Sequence, residues 1–209
     1  MKTTSYSFLM YGVSLLMIRI FLTGEFYFTF LLWNLFLAAI PWLVSQIAEK
    51  YRYISVVGNL SLFVIWLLFL PNTFYVITDL IHLKNSTGFY VMLDILLILT
   101  FAFICVFLGY SSLNKVNKIV RGRFPEINLN YFNYSILILC SFGIYLGRFL
   151  RYNSWNIINN PRNLFFDCMN YLIHPIENKE VWLFTFGFGL FLISLKSLFK
   201  NTRYAIGQK

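Results

Sequence analysis

The sequence predicts an all-α fold: a polytopic transmembrane helical bundle of about six spans with one short re-entrant or interfacial helix. Three observations carry this expectation. Only 12% of the residues are charged, 59% are hydrophobic and the mean hydropathy is +0.68, far from the soluble average of about a quarter charged. Apolar runs of about 20 residues succeed one another along the chain, which leaves no length for a separate soluble domain. Lys and Arg gather at the ends of those runs, so the net charge of +9 calls for membrane lipid as the partner, and no nucleic acid.

The first span is residues 6–22, with Arg19 in its last turn, placed to snorkel to the interface beside Glu25. Because Arg19 interrupts the apolar core and no small-x-small site follows, this is a retained span and not a removed signal. Spans two and three cover 26–48 and 53–70; Asn34 and Asn59 lie mid-span, where amides bond across helices. Residues 70–83, LPNTFYVITDLIHL, follow without a break. As an α-helix this stretch puts Asn72, Tyr75, Asp79 and His82 at spacings of three, four and three, on one polar face of an otherwise apolar rod. Its dozen residues after Pro71 cover under about 20 Å and do not cross a core of about 30 Å. The expectation is therefore a separate helix lying in the interface or dipping into the membrane, shielded by its neighbours.

Span four, 90–113, carries Asp94 in its first turns. Span five, 131–150, contains the small-xxx-small pair Gly143 and Gly147 and ends in Arg148, Arg151, Asn153, Ser154 and Trp155. The two arginines are three apart and share a helical face. Residues 157–180 form the longest connection, with a short interfacial helix over Leu164, Phe165, Met169 and Leu172, and span six is 181–198. Counting Lys and Arg gives 11 on the side of the termini against 5 on the other, so both termini are expected in the cytoplasm and the polar stretch outside, in a cell membrane. Cys105, Cys140 and Cys168 form no close pair, and Asp79, His82, Asp94 and His174 have no recognised ligand spacing; no disulfide, metal or other cofactor is called for.

At LPNTFYVITDLIHL and again at GIYLGRFLRYNSWN the chain resembles a family of bacterial multi-spanning membrane proteins known only as a domain of unknown function, DUF1361. The matching positions are Leu70-Pro71-Asn72, Tyr75, Thr78-Asp79-Leu80, His82-Leu83, Gly147-Arg148-Phe149, Arg151 and Asn153-Ser154-Trp155. The resemblance implies the multi-span architecture and supplies no activity.

Chemistry must therefore come from the residues. An ionisable side chain at membrane depth costs roughly 2.5–3.5 kcal/mol on insertion scales, so such residues have partners or functions. Asp79 and His82, three apart, are the candidate acid–base pair. Asn72, Tyr75, Asp94, Arg148, Arg151, Asn153 and Trp155 are the candidate ligand-binding set, with the arginine pair suited to a phosphate-bearing or lipid-linked anion and Asp79 expected near Arg148 or Arg151. Three functions fit: an outward-facing site for an anionic ligand, acting as a membrane-embedded enzyme; a transporter or channel component that relays protons through the Asp/His stripe; or an ion-pair network with a purely structural or partner-binding role, anchored by Trp155.

Overall fold

A computed structural model describes residues 2–51, 55–86, 88–152, 159 and 161–206. Among them the ordered elements are all helical. The α-helices are α1 (Lys2–Thr23), α2 (Phe30–Lys50), α3 (Val56–Phe69), α4 (Pro71–Tyr75), α5 (Tyr90–Arg123), α6 (Leu129–Phe149), α7 (Pro161–Ile173) and α8 (Lys179–Ile206). Two 3-10 segments join them, Tyr27–Thr29 ahead of α2 and Val76–Asn85 after α4. Five helical runs are long and apolar enough to cross a membrane: Tyr27–Lys50, Val56–Lys84, Tyr90–Arg123, Leu129–Phe149 and Lys179–Phe199. Large apolar side chains such as Phe36, Val57, Met92 and Leu183 stand exposed on them, as lipid-facing residues do. The expected first span is not one of these five; within α1 it holds the apolar helical stretch Ser7–Thr23.

The chain forms two compact units, residues 1–119 and 120–209. In the first, Leu16, Phe28, Leu31, Ala38, Leu97, Ile98, Phe101 and Cys105 form an apolar core that also takes in Val76. Ser55 caps α3 by accepting the Gly58 N–H at 3.2 Å, satisfying one of the orphan donors of the first turn. At one end of the unit Lys115 bonds Gln46 at 2.7 Å and Glu49 at 2.5 Å, tying α2 to α5.

The main departure from the sequence expectation concerns Pro71. The helical run does not stop there: Leu70 keeps right-handed α geometry, its N–H reaches the Trp66 carbonyl at 2.9 Å, and Pro71 occupies the first turn of α4, where its missing N–H costs little. The polar stretch is thus the continuation of the third span, not a separate short helix. From Val76 it winds as a 3-10 helix for ten residues. Packing at Gly109 explains the close seat of α4: a Cβ there would collide with Thr73 and stand 3.0 Å from the Phe74 ring.

In the second unit α6 and α8 pack along an aromatic seam, Tyr145 and Phe149 against Phe184 and Phe142 against Trp182. A close approach falls at Gly189, whose Cβ would lie 3.1 Å from Ile138. The short helix foreseen in the long connection is present as α7, with Phe165 and Leu172 exposed.

Candidate functional site

The first unit gathers its polar side chains into two adjoining clusters, both fed by the 3-10 helix Val76–Asn85. A 3-10 helix turns once every three residues, so Val76, Asp79 and His82 eclipse one another on a single line. The burial follows that period: Val76 and Asp79 are buried, His82 half-buried, and Leu80 and Ile81 exposed. Asn72 and Tyr75, expected on the same α-helical face as Asp79 and His82, sit one element earlier, in α4. The Asn72 amide bonds the Phe69 carbonyl at 3.1 Å, across the junction of α3 and α4.

The first cluster is centred on Asp79, only 1% exposed. Its Oδ2 accepts a 2.7 Å hydrogen bond from the Asn34 amide of α2, so Asn34 does bond across helices. Its Oδ1 lies 3.8 Å from Nε2 of His82, an ion-pair distance too long for a direct hydrogen bond. On the other side of the imidazole, Nδ1 is 2.8 Å from the Tyr27 hydroxyl, and the ring packs on Phe30 with centroids 4.8 Å apart. A neutral imidazole donates from one nitrogen and accepts at the other. With Tyr27 donating to Nδ1, the Nε2 hydrogen faces Asp79.

The second cluster is a buried ion pair. Asp94, 0% exposed, receives Arg19 Nε at 2.6 Å and Nη2 at 3.4 Å, together with the Ser86 hydroxyl at 2.6 Å. The guanidinium lies between the rings of Phe28 and Tyr90, 5.6 and 5.1 Å from their centroids. Arg19 was expected to snorkel with Glu25 beside it. Glu25 is there, 3.8 Å away, but Arg19 is 6% exposed and its near partner is Asp94. The reason is energetic: a carboxylate and a guanidinium at one depth offset much of each other's desolvation when they meet. Among the described residues Arg19 Nη1 is buried with no hydrogen-bond partner.

The arginines Arg148 and Arg151 belong to the second unit. Arg148 occupies the last turn of α6, where a cation complements the helix dipole. Arg151 has φ +60, the left-handed conformation that side chains other than glycine rarely adopt, and the next N–H, of Tyr152, closes back on the Leu146 carbonyl at 3.1 Å. The Tyr152 hydroxyl donates to Asp167 of α7 at 2.7 Å, and that bond pushes its pKa up to about 12. Asn153 and Trp155 lie outside the described residues.

Of the sequence candidates, Asp79 and His82 are therefore brought together, and Asp94 is engaged with Arg19. Tyr27 and Ser86 were missed. Tyr27 lies at the start of an apolar span, where an interfacial tyrosine is ordinary, and Ser86 sits in a polar connection with no periodicity to mark it. Arg19 carried a usable signal, because a cation in the last turn of one span and an anion in the first turns of another fall at one depth.

Neither a curated protein nor a solved structure matches the chain. The family model described as a protein of unknown function, DUF1361, matches residues 33–195, a stretch that holds Asn34, Asp79, His82, Asp94, Arg148 and Arg151. On that match the chain, a protein of membrane-spanning helices, belongs to the DUF1361 family.

Proposed function

We propose that this protein is a membrane-embedded enzyme in which His82 transfers a proton to or from a lipid-borne substrate, with Asp79 orienting the imidazole and Tyr27 at the accessible end. One observation carries the reading: a chain of polar groups in which exposure falls from 41% at Tyr27 to 28% for the His82 side chain and 1% at Asp79, with contacts of 2.8 and 3.8 Å on opposite ring nitrogens. Histidine suits the task because its unperturbed pKa lies near neutrality. Inward of Asp79 the surroundings are apolar: Val76 lies one turn earlier, with Leu97, Ile98, Phe101 and Cys105 in the same cluster. That supports proton transfer at one membrane face over conduction to the other. By the excess of Lys and Arg on the side of the termini, this face is the outer one.

The test is turnover in vesicles containing phosphatidic acid, phosphatidylglycerol and a polyprenyl phosphate, followed by mass spectrometry. Wild type should consume one of these lipids and His82→Ala should lose on the order of 100-fold or more of that rate, the usual scale of general acid–base catalysis. Equal turnover by the variant, or no lipid changed by wild type, contradicts the proposal.

A second reading concerns the second unit and is favoured by the left-handed backbone at Arg151. Strain at a residue that is neither glycine nor asparagine clusters at ligand-binding positions. We infer that Arg148 and Arg151 hold an anionic headgroup. Arg148→Lys keeps the charge and loses the planar fork, so it should release co-purified anionic lipid nearly as completely as Arg148→Ala; full retention by the lysine variant excludes bidentate binding.

A further inference from the structure

The segment that carries Asp79 and His82 is wound in a form that seldom lasts. Runs of 3-10 helix beyond three or four residues are uncommon, because their hydrogen bonds are poorly aligned and their side chains eclipse. Here the form lasts ten residues, entered directly from α-helix: Tyr75 and Val76 both keep right-handed helical dihedrals, −56/−37 and −59/−25. No proline or glycine lies between Val76 and Asn85 to forbid an α-helix. Something other than local sequence therefore holds the tighter winding.

The restraint is lateral. Among the described contacts, three from three other elements grip the segment and the residue that caps it: the Asn34 amide on Asp79 at 2.7 Å, the Tyr27 hydroxyl on His82 at 2.8 Å, and Asp94 of α5 on the hydroxyl of the C-cap Ser86 at 2.6 Å. The last anchor is itself fixed, since Asp94 is bound by Arg19. Winding as a 3-10 helix brings Asp79 and His82 onto one line, whereas an α-helix would set them about 60° apart. Ten residues also shorten by about 5 Å on passing from a rise of about 2.0 to about 1.5 Å. Beyond the last grip the chain turns at Gly88, with φ +60 and open space around its Cα, which leaves room for the end to move.

We infer that Val76–Asn85 is a latch on the acid–base site. Its lateral contacts hold it extended with Asp79 and His82 in line, the working form of the site, and release of those contacts lets it recoil to α-helix, drawing His82 away from Tyr27 and Ser86 away from Asp94 and so disassembling the pair. The inference rests on the acid–base reading for its purpose, but the recoil itself is a mechanical property that can be measured with no substrate present.

The measurement is the distance between spin labels at Val57 and Lys84, both exposed and at opposite ends of the third span, in the full chain in nanodiscs. Asn34→Ala combined with Ser86→Ala should shorten it by about 4 Å relative to wild type, the recoil expected up to position 84. Ser86→Ala alone, which removes one hydroxyl and leaves the core intact, should give a mixture of the long and short distances. A second pair at Leu43 and Val57, on α2 and α3, should be unchanged in every variant and reports a fold kept intact. The wild-type distance retained in both variants overturns the latch, and so does a wild-type distance already at the α-helical value. A latch that moves in a protein whose His82→Ala variant keeps full turnover would refute the acid–base reading alone; an unmoved segment with turnover lost would refute the latch alone.

Discussion

Asp94 and Asp79 are two carboxylates in one unit, both essentially sealed from solvent, and among the described contacts their partners differ in kind. Asp94 has a guanidinium at 2.6 Å and a hydroxyl at 2.6 Å. Asp79 has a neutral amide at 2.7 Å and a histidine at 3.8 Å. A charge neutralised by a permanently charged arginine is fixed in place, and its partner cannot exchange a proton near neutrality. A carboxylate facing a histidine has a partner that can. The difference separates the residue that pins α1 to α5 from the residue proposed to take part in proton transfer, although their burial is the same.

The largest effect should come from breaking the pinned pair. Asp94→Asn strands the Arg19 guanidinium at depth and should destabilise the first unit by roughly 3–5 kcal/mol, whereas Arg19→Met with Asp94→Leu should cost much less than the sum of the single changes, as measured by denaturation in detergent. Additive losses would mean that the pair contributes as two independent groups. Next comes the seat of the polar segment: Gly109→Ala pushes a methyl group into Thr73 and Phe74 and should cost about 1–3 kcal/mol, read as a lowered melting temperature. Asp79→Asn should cost the Asn34 contact little, about 1 kcal/mol, because an amide oxygen can keep that bond, yet it should abolish the proposed turnover. A stability loss at Asp79 equal to that at Asp94 would erase the distinction between them.

The smallest effect lies in the second unit and sharpens the same contrast, because there a tyrosine meets a carboxylate with no base between them. The bond to Asp167 raises the Tyr152 pKa from 10.0 to about 12, so the folded state holds the phenolic proton more tightly than the unfolded chain does. Its contribution is complete below about pH 10 and is lost as the pH rises through about 12. Subtracting the ultraviolet titration of Tyr152→Phe from that of wild type should leave one tyrosine ionising in that upper window. A difference curve centred near 10 would remove the hydrogen bond.

The membrane-spanning helices were legible because their signal is additive over some 20 residues. The proximity of Asp79 and His82 was legible too, since they are three apart and close together in either helical form. What escaped was the winding of Val76–Asn85. An α-helical spacing groups Asn72 and Tyr75 with Asp79 and His82, and nothing in the local sequence announces 3-10 geometry, because the contacts that hold it come from Asn34, Tyr27 and Asp94, far away in the chain. The length of the stretch after Pro71 misled for a related reason: counted alone it is too short to cross, yet a proline in a first turn lets the preceding helix continue into it. Arg19 shows the limit of reading charges singly. Its nearest acid in sequence is Glu25, and its nearest in space is Asp94.

The central claim is a directed chain from Tyr27 through His82 to Asp79, and the state of one ring tests it. The chain holds only two histidines, so protein labelled with nitrogen-15 histidine gives two imidazoles, and His174→Ala assigns them. At a pH where His82 is neutral, solid-state magnetic resonance in lipid should find its Nδ1 bare and accepting, its Nε2 protonated, and a mixture of tautomers in Tyr27→Phe. A wild-type ring protonated at Nδ1 and bare at Nε2, or one whose tautomer is indifferent to Tyr27, would contradict it.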